Sequence, residues 1–319
     1  MKAILVKQFG PPEVMALADV DPPPVGADQV LVRIEAAGVN PVDTYIRSGM
    51  HAIKPALPFT PGKDGSGVVA DIGSQITDLR IGDRVYLAGS ITGTYAEFAL
   101  CDRSQVHRLP ECVGFDEGAG VFVPYATAWR GLFEKAAAKA GETVLVHGAS
   151  GAVGIAAIQW AKNAGLTVIG TAGSADGIRL VLEQGADFAF DHSTPGYLDE
   201  VMKATDGVEI ILEMLANVNL VNDFNVLKMF GRIVVIGNRG SLDFNPRLTM
   251  GKDASIHGLS LFNASDATMT SIHEAIFTGL SEGYLKPVVG RRFPLADAAT
   301  AHHEVIETKA FGKIVLKPQ

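Results

Sequence analysis

Residues 142–154 constrain the fold of this chain more than any other stretch. The apolar run at residues 144–146 is rich in β-formers and leads into a turn of small residues. From Val153 to Ala164, apolar residues then recur at helical spacing. This pattern predicts a strand, a tight turn and a helix, which together form the basic unit of an α/β domain.

The turn at residues 149–154 has the form of the dinucleotide-binding pattern G-x-G-x-x-G, with alanine in place of the first glycine. Gly151 has no Cβ, so the backbone can approach a pyrophosphate, and Gly154 allows the helix to pack closely on the sheet. The free N–H groups at the helix N-terminus favour phosphate. The turn therefore predicts a dinucleotide site, with an ordinary strand-to-helix turn as the alternative.

Composition favours a folded protein whose partner is a small molecule. The 319 residues suffice for two domains, and 47% of them are hydrophobic while 19% are charged. The net charge of −8 gives no global attraction to nucleic acid or anionic membranes. No segment has 18 uninterrupted apolar residues, and the two cysteines suggest no disulfide framework. We therefore expect a cytoplasmic protein that neither spans a membrane nor binds nucleic acid.

The first part of the chain differs in pattern from the rest. Short β-like runs separated by glycine and proline predict a small antiparallel barrel or sandwich. The runs are residues 3–6, 30–36, 67–72, 84–87 and 95–100. Polar residues at 38–45 and 61–67 are interpreted as loops.

From residue 144 onward, predicted strands and helices alternate, which indicates a parallel, doubly wound sheet. The predicted strands are residues 144–147, 167–171, 188–190, 208–213 and 232–236. The helices predicted before and between them include residues 126–140 and 220–229, and a further helix is expected at 267–283. A last strand at residues 314–316 would make the first domain discontinuous if it paired there.

The end of the second strand of this domain bears on the choice of cofactor. Proteins that select NAD carry an acidic residue there, about 20 positions beyond the glycine turn. This chain has Gly173 and Ser174, and its first carboxylate is Asp176. No carboxylate stands at these positions to repel a 2′-phosphate, and Ser174 can donate a hydrogen bond to it. The sequence therefore favours NADPH. The candidate cations for that phosphate are Arg179, His192, Arg239 and Lys309.

Further polar residues follow the later strands of this sheet. His192 follows the third strand, Asn217 and Asn219 follow the fourth, and residues 237–240 follow the fifth. Ligands bind at the carboxyl ends of strands in open α/β sheets, so these residues are expected on one edge. No His/Cys cluster has the spacing of a metal site, and we expect no catalytic zinc.

Five stretches together resemble the medium-chain dehydrogenase/reductase superfamily, and within it the zinc-free quinone oxidoreductase branch that includes zeta-crystallin. They are residues 39–49, 145–151, 170–173, 213–220 and 285–288. The resemblance implies a GroES-like catalytic domain at residues 1–122 and 263–319, and a Rossmann domain at 123–262. It also implies NADPH bound in the cleft between them.

The same resemblance implies the site residues. Tyr45 and Asn40 are the expected catalytic hydrogen-bond donors to a carbonyl oxygen. The expected cofactor contacts are Tyr45, Thr127, Ser150, Gly151, Ala152, Val153, Gly173, Ser174, His192, Asn219, Ile236, Gly237, Asn238, Arg239, Leu261 and Lys309. Where zinc alcohol dehydrogenases have a cysteine and a His-Glu pair, this chain has Asn40 and Lys63-Asp64.

These implications predict metal-independent reduction of quinones or other conjugated carbonyls by NADPH, in a homodimer or homotetramer. One alternative is an enoyl or alkenal double-bond reductase, and another is a crystallin-like structural or RNA-binding role. Lys63 departs from the small or polar neutral residue of close relatives. Its ammonium group either favours an anionic substrate or pairs with Asp64.

Overall fold

The N-terminal part of the chain forms an antiparallel β unit in the computed structural model, which describes residues 1–52 and 54–318. Its elements are β1 (Lys2–Val6), β2 (Met15–Asp19), β3 (Gln29–Val39), α1 (Pro41–Ser48), β4 (Asp64–Ile72), β5 (Arg84–Ala88), β6 (Phe98–Asp102) and β7 (Val106–Arg108). The long strand β3 pairs antiparallel with both β4 and β6. Alternate side chains from Val30 to Ala36 are buried, as expected where successive residues of a strand point to opposite faces of the sheet.

The middle of the chain forms a parallel sheet covered by helices. Its elements are α2 (Phe115–Gly118), α3 (Phe122–Trp129), β8 (Thr143–Val146), α4 (Ala152–Asn163), β9 (Thr167–Ala172), α5 (Ala175–Glu183), β10 (Phe188–Asp191), α6 (Tyr197–Thr205), β11 (Val208–Glu213), α7 (Ala216–Asp223), β12 (Leu227–Val235), α8 (Arg247–Met250) and β13 (Ser255–Gly258). Within the described residues the strand order is β10-β9-β8-β11-β12-β13. The predicted doubly wound parallel sheet is confirmed.

The chain then forms a long helix whose Ile272, Ile276 and Leu280 pack in the core cluster of the parallel sheet, and returns to the first unit. Its last elements are α9 (Asp266–Glu282), β14 (Val289–Pro294), α10 (Ala298–Glu307) and β15 (Lys313–Lys317). Strand β15 pairs antiparallel with β3, where Ile314 lies opposite Val39. The expected return of the C-terminal strand is therefore confirmed.

The interpretation of residues 38–45 as a loop was wrong, because helix α1 begins at Pro41. Asn40 caps this helix: its backbone N–H donates to Asp43 Oδ2 at 2.9 Å, in a capping box. Proline suits the first helical position, and Gly49 closes the helix in the left-handed conformation. Residues that were interpreted as turn formers are thus the start signal of a helix.

Two helix predictions in the middle of the chain were also wrong, and one strand was missed. The predicted helix at 220–229 ends at Asp223, and β12 already begins at Leu227, because its first residue pairs with Val208 of β11. The predicted helix at 126–140 is α3 followed by a π-helical segment, Arg130–Lys135. The edge strand β13 was missed, since two of its four residues are glycine or serine and it is largely exposed.

The hydrophobic core lies in three main clusters. One, which includes Val146, Trp160 and Ile276, packs on one face of the parallel sheet, and a second, around Leu145 and Ile211, packs on the other. The third fills the β unit around Ile34 and Leu87. Across residues 1–52 and 54–318, no helix is both long and apolar enough to cross a lipid bilayer.

Replacing Gly154 with alanine should destabilise the fold. An ideal Cβ at this position would lie 2.5 Å from Ala149 Cα and 2.6 Å from the Gly148 carbonyl oxygen, both backbone atoms. We expect Gly154→Ala to lower the free energy of unfolding by about 1–3 kcal/mol, measured by urea denaturation. The control is Gly251→Ala, whose Cβ would approach nothing closer than 3.5 Å. Equal stability of the two variants would contradict the close packing of α4 on the turn.

Candidate functional site

The turn between β8 and α4 has the geometry of a phosphate cradle. Gly151 is the N-cap of α4 in an extended conformation, and no side chain caps the first amides of the helix. Ser150, Ala152 and Val153 lie in the same turn, at the carboxyl end of β8. Uncapped amides at the positive end of a helix fit an anionic group. The turn thus fits the pyrophosphate of a dinucleotide.

The segment after α10 crosses this turn. Ser150 Oγ donates to the Ala310 carbonyl at 2.7 Å, and the Gly312 N–H donates to the Ser150 carbonyl at 2.8 Å. Residues 309–312 therefore form one wall of the candidate site, just before β15 begins.

A second group of predicted residues meets at the end of β9. An ideal Cβ on Gly173 would lie 2.8 Å from His192 Nε2, so only glycine leaves His192 this position. Lys309 Nζ donates to the Gly173 carbonyl. Ser174 Oγ caps α5 by accepting the Gly177 N–H at 3.1 Å, and its own hydrogen stays available to donate. Gly173, Ser174, His192 and Lys309 are thus brought together.

The other candidate cations lie elsewhere. Arg179 is exposed and pairs with Asp176 at 2.8 Å, which places both groups on the solvent side of α5. Arg239 donates to the Ile306 carbonyl at 2.9 Å, just before the segment that crosses the turn. Burial lowers the pKa of His192, with the nearby His147 charge as a further cause. Among these candidate cations, Lys309 is the one that forms a hydrogen bond with Gly173.

The expected bridging residues follow β11 and β12. Asn238 Oδ1 accepts the Asn217 N–H at 3.0 Å, and Asn217 Oδ1 accepts the Arg239 N–H at 2.9 Å. Ile236 and Gly237 follow the last residue of β12 and lead into Asn238 and Arg239. Asn219 is engaged differently, because its Nδ2 donates to Glu213 Oε1 at 3.1 Å.

Two further predicted contacts lie on elements that contact each other. Thr127 is buried in α3, and Leu261 is buried in a short turn after β13. Arg130, at the end of α3, donates to the Leu261 carbonyl at 3.3 Å and so ties these two elements together.

Asn40 lies in a buried polar corner that the sequence did not reveal. Its Nδ2 donates to Asp64 Oδ2 at 3.0 Å, and Lys313 Nζ donates to both Asn40 Oδ1 and Asp64 Oδ2 at 2.6 Å. The Val123 N–H completes the set by donating to Asp64 Oδ1 at 2.9 Å. The corner therefore joins α1, β4, α3 and β15 through one ammonium and one carboxylate.

Tyr45 is placed differently from Asn40. It lies in α1 and is half-buried, and among the described residues its hydroxyl has no hydrogen-bond partner. A phenol hydroxyl without a protein partner can donate to a ligand. Of the two predicted donors, Tyr45 thus has its hydroxyl available for a ligand, whereas Asn40 already donates one amide hydrogen to Asp64.

A second buried cluster, also missed in the sequence, lies beneath the phosphate turn. His147, Glu213 and Asp223 are fully buried and offer ligand atoms within 4.8 Å of one another. His147 Nε2 bonds Asp223 Oδ1 at 2.8 Å, while Glu213 Oε2 and Asp223 Oδ2 have no donor among the described residues. Two buried carboxylates facing one histidine leave a net negative charge unless a proton or cation is bound.

The pKa values in this cluster indicate that a proton is held. Burial raises the pKa of Glu213 to about 7, and the Asp223 charge acts in the same direction, against the His147 charge. Burial alone would lower the pKa of His147, but its bond to Asp223 and the charges of Asp223 and Glu213 raise it. Glu213 therefore binds a proton near neutrality.

Comparisons with known proteins agree with this arrangement. One family model, described as an alcohol dehydrogenase GroES-like domain, matches residues 26–127, and another, described as zinc-binding dehydrogenase, matches residues 152–276. The chain is 46% identical to the quinone oxidoreductase of Sus scrofa, over 99% of this chain and 97% of that protein. Identity to the Homo sapiens quinone oxidoreductase is 45% with the same coverage. The structure of the Escherichia coli quinone oxidoreductase in complex with NADPH has a TM-score of 0.89 at 27% identity, covering 100% of both chains.

The buried carboxyl of Glu213 should make stability depend on pH. Its folded-state pKa is raised from 4.5 to about 7, so the folded state holds a proton that the unfolded state loses. The free energy of unfolding should therefore fall as pH rises between these values. We expect Glu213→Gln, which mimics the protonated acid, to remove about 2 kcal/mol of that fall between about pH 5 and about pH 8.

Urea denaturation at the two pH values measures this difference. Glu274→Gln, which alters an exposed carboxyl on α9, is the matched control and should keep the wild-type pH dependence. The same slope in Glu213→Gln and wild type would show that Glu213 holds no proton.

Proposed function

The chain belongs to the quinone oxidoreductase branch of the medium-chain dehydrogenase/reductase superfamily, and we propose on that premise that it reduces quinones with NADPH. Full-length similarity to quinone oxidoreductases supports the class of acceptor. The observation that carries the choice of cofactor is the meeting of Gly173, Ser174 and Lys309 at the end of β9, with no carboxylate among them. When bound, NADPH supplies reducing equivalents from C4 of its nicotinamide.

The proposed cofactor site uses the residues named in the sequence. Residues 150–153 hold the pyrophosphate on the amides of α4, and Gly173, Ser174, His192 and Lys309 hold the adenosine end. Between these regions and the nicotinamide the proposed contacts are Asn219, Ile236, Gly237, Asn238, Arg239 and Leu261. Thr127 and Tyr45 lie toward the nicotinamide itself.

Tyr45 is the proposed donor to the acceptor carbonyl, and Asn40 supports it. The hydroxyl of Tyr45 can donate as negative charge develops on oxygen, and the second amide hydrogen of Asn40 is available to do the same. Asn40 is fixed for this by Asp64 and Lys313.

The proposed reaction needs no metal. A cation bound by Asn40 and Asp64 would have to displace Lys313 Nζ. This group already donates to Asn40 Oδ1 and to Asp64 Oδ2, each at 2.6 Å. Lys63 stands next to Asp64 in place of a residue type that binds zinc, since the ammonium group of lysine has donors and no acceptor.

The quaternary structure and the domain limits are proposals as well. We propose a homo-oligomer that associates through β13, an edge strand on which Ile256 is exposed. Met229, Phe230 and Met250, which precede β13 in the chain, are exposed as well. We retain the domain limits of residues 1–122 with 263–319 and of 123–262, and a cytoplasmic location.

Quinone reduction by the purified protein tests the proposal directly. We expect oxidation of NADPH by 1,2-naphthoquinone in the presence of chelator, and slower oxidation by a simple enone.

Tyr45→Phe should lower kcat/KM for the quinone about tenfold, because it removes one hydrogen-bond donor. The control is Tyr284→Phe, a half-buried tyrosine that packs on Trp160. Tight NADPH binding without quinone turnover would contradict the proposed reaction, and unchanged kcat/KM in Tyr45→Phe would contradict the role of its hydroxyl.

Lys309 should distinguish NADPH from NADH. We expect Lys309→Met to raise the Kd for NADPH about tenfold and to leave the Kd for NADH within about twofold, because only NADPH carries the 2′-phosphate. Titration calorimetry with both dinucleotides measures this. Arg179→Met, which removes an exposed cation paired with Asp176, should change neither Kd. Equal weakening of both dinucleotides in Lys309→Met would assign Lys309 a structural role instead.

A further inference from the structure

Lys63 carries a positive charge that the surrounding protein does not pair. It immediately precedes β4, and its side chain is half-buried. The adjacent carboxylate of Asp64 is already bound by Lys313 Nζ, by Asn40 Nδ2 and by the Val123 N–H. In the part of the chain that the structure describes, Lys63 forms no ion pair. The alternative that Lys63 pairs with Asp64 is therefore excluded.

Lys63 is one of the residues that line a cavity of about 500 Å³. The apolar part of this cavity comes from Ile46, Pro58, Phe59 and Ile91. A volume of this order accommodates a small planar molecule, and apolar walls with a few charged groups are typical of a selective ligand pocket. The cavity thus combines a hydrophobic surface with charged groups, among them Lys63.

Two acidic residues also line this cavity, and neither neutralises Lys63. Asp21 is exposed at the rim. Asp43 is buried, and its Oδ2 accepts the Asn40 N–H at 2.9 Å and the Tyr95 hydroxyl at 3.4 Å. Burial raises the pKa of Asp43 to about 7, so this carboxyl is partly protonated at neutral pH. The positive charge of Lys63 is therefore available to a ligand.

The cavity adjoins the buried corner around Asn40 through Asp43, which lines the cavity and accepts the Asn40 N–H at 2.9 Å. Lys63 also precedes Asp64, whose Oδ2 accepts from Asn40 Nδ2. The cavity and the proposed donor Asn40 are therefore neighbours in the fold.

We propose that Lys63 is a specificity-determining residue that binds an anionic substituent of the acceptor, so that the preferred substrates are planar quinones bearing a carboxylate or sulfonate. This inference rests on the proposed quinone reduction. It adds the substrate class, because an ammonium in a half-buried apolar cavity attracts an anionic ring substituent and gains nothing from a neutral one.

A matched pair of quinones tests the inference. Steady-state kinetics would compare 1,2-naphthoquinone with 1,2-naphthoquinone-4-sulfonate for wild type, Lys63→Met, Lys63→Arg and Lys139→Met. We expect Lys63→Met to lower kcat/KM for the sulfonate about tenfold and to leave the neutral quinone within about twofold. Lys63→Arg should retain the preference, and added salt should weaken it in wild type. Lys139→Met removes an exposed lysine of the nucleotide-binding unit and should behave as wild type.

A binding measurement separates this inference from the proposed reaction. Naphthalene-1-sulfonate cannot be reduced as a quinone, and its Kd for wild type and Lys63→Met can be measured by calorimetry whether or not turnover occurs. Weaker binding to Lys63→Met supports the anion site even if no quinone is reduced. Equal binding, or an equal loss of kcat/KM for both quinones, overturns it.

Discussion

The buried polar corner around Asn40 and Asp64 depends on the ion pair and hydrogen bonds of the Lys313 ammonium. This ammonium is buried against Asn40 and Asp64, and Asp64 also accepts the N–H of Val123 at the start of α3. A buried charge is costly unless it is paired and hydrogen-bonded, so removal of one partner typically costs about 3–5 kcal/mol. The corner therefore fixes the relative positions of α1, β4 and β15, and it orients the amide of Asn40.

The C-terminal segment connects this corner with the proposed cofactor site. Within five consecutive residues, Lys309 contacts the Gly173 carbonyl, Ala310 accepts from Ser150, and Lys313 binds Asn40 and Asp64. Fully extended chain rises by about 3.3 Å per residue, so this segment spans at most about 13 Å. One short stretch thus contacts both the adenosine end and the buried polar corner, which explains why the last strand must return to the first unit.

The sequence predicted the cofactor turn better than it predicted the buried polar corner. The pattern at residues 142–154 is local, and the structure has the strand, turn and helix where the apolar spacing indicated. Helix α1 was missed because Asn40, Pro41 and Asp43 are typical of turns as well as of helix starts, and only the backbone geometry decides between them. The start of β12 was missed because its first residues are selected by pairing with Val208.

By itself, the sequence determined the class of fold, the phosphate turn and the lack of an acidic residue after β9, because each depends on residues close together in the chain. The tertiary structure decided which charges meet. Asp64 lies beside Lys63 in sequence but pairs with Lys313, which is 249 residues away. His147, Glu213 and Asp223 likewise form one buried cluster although 76 residues separate the first from the last. Local periodicity reports only which face of an element is buried, and the partners on that face are set by the packing of elements that are distant in the chain.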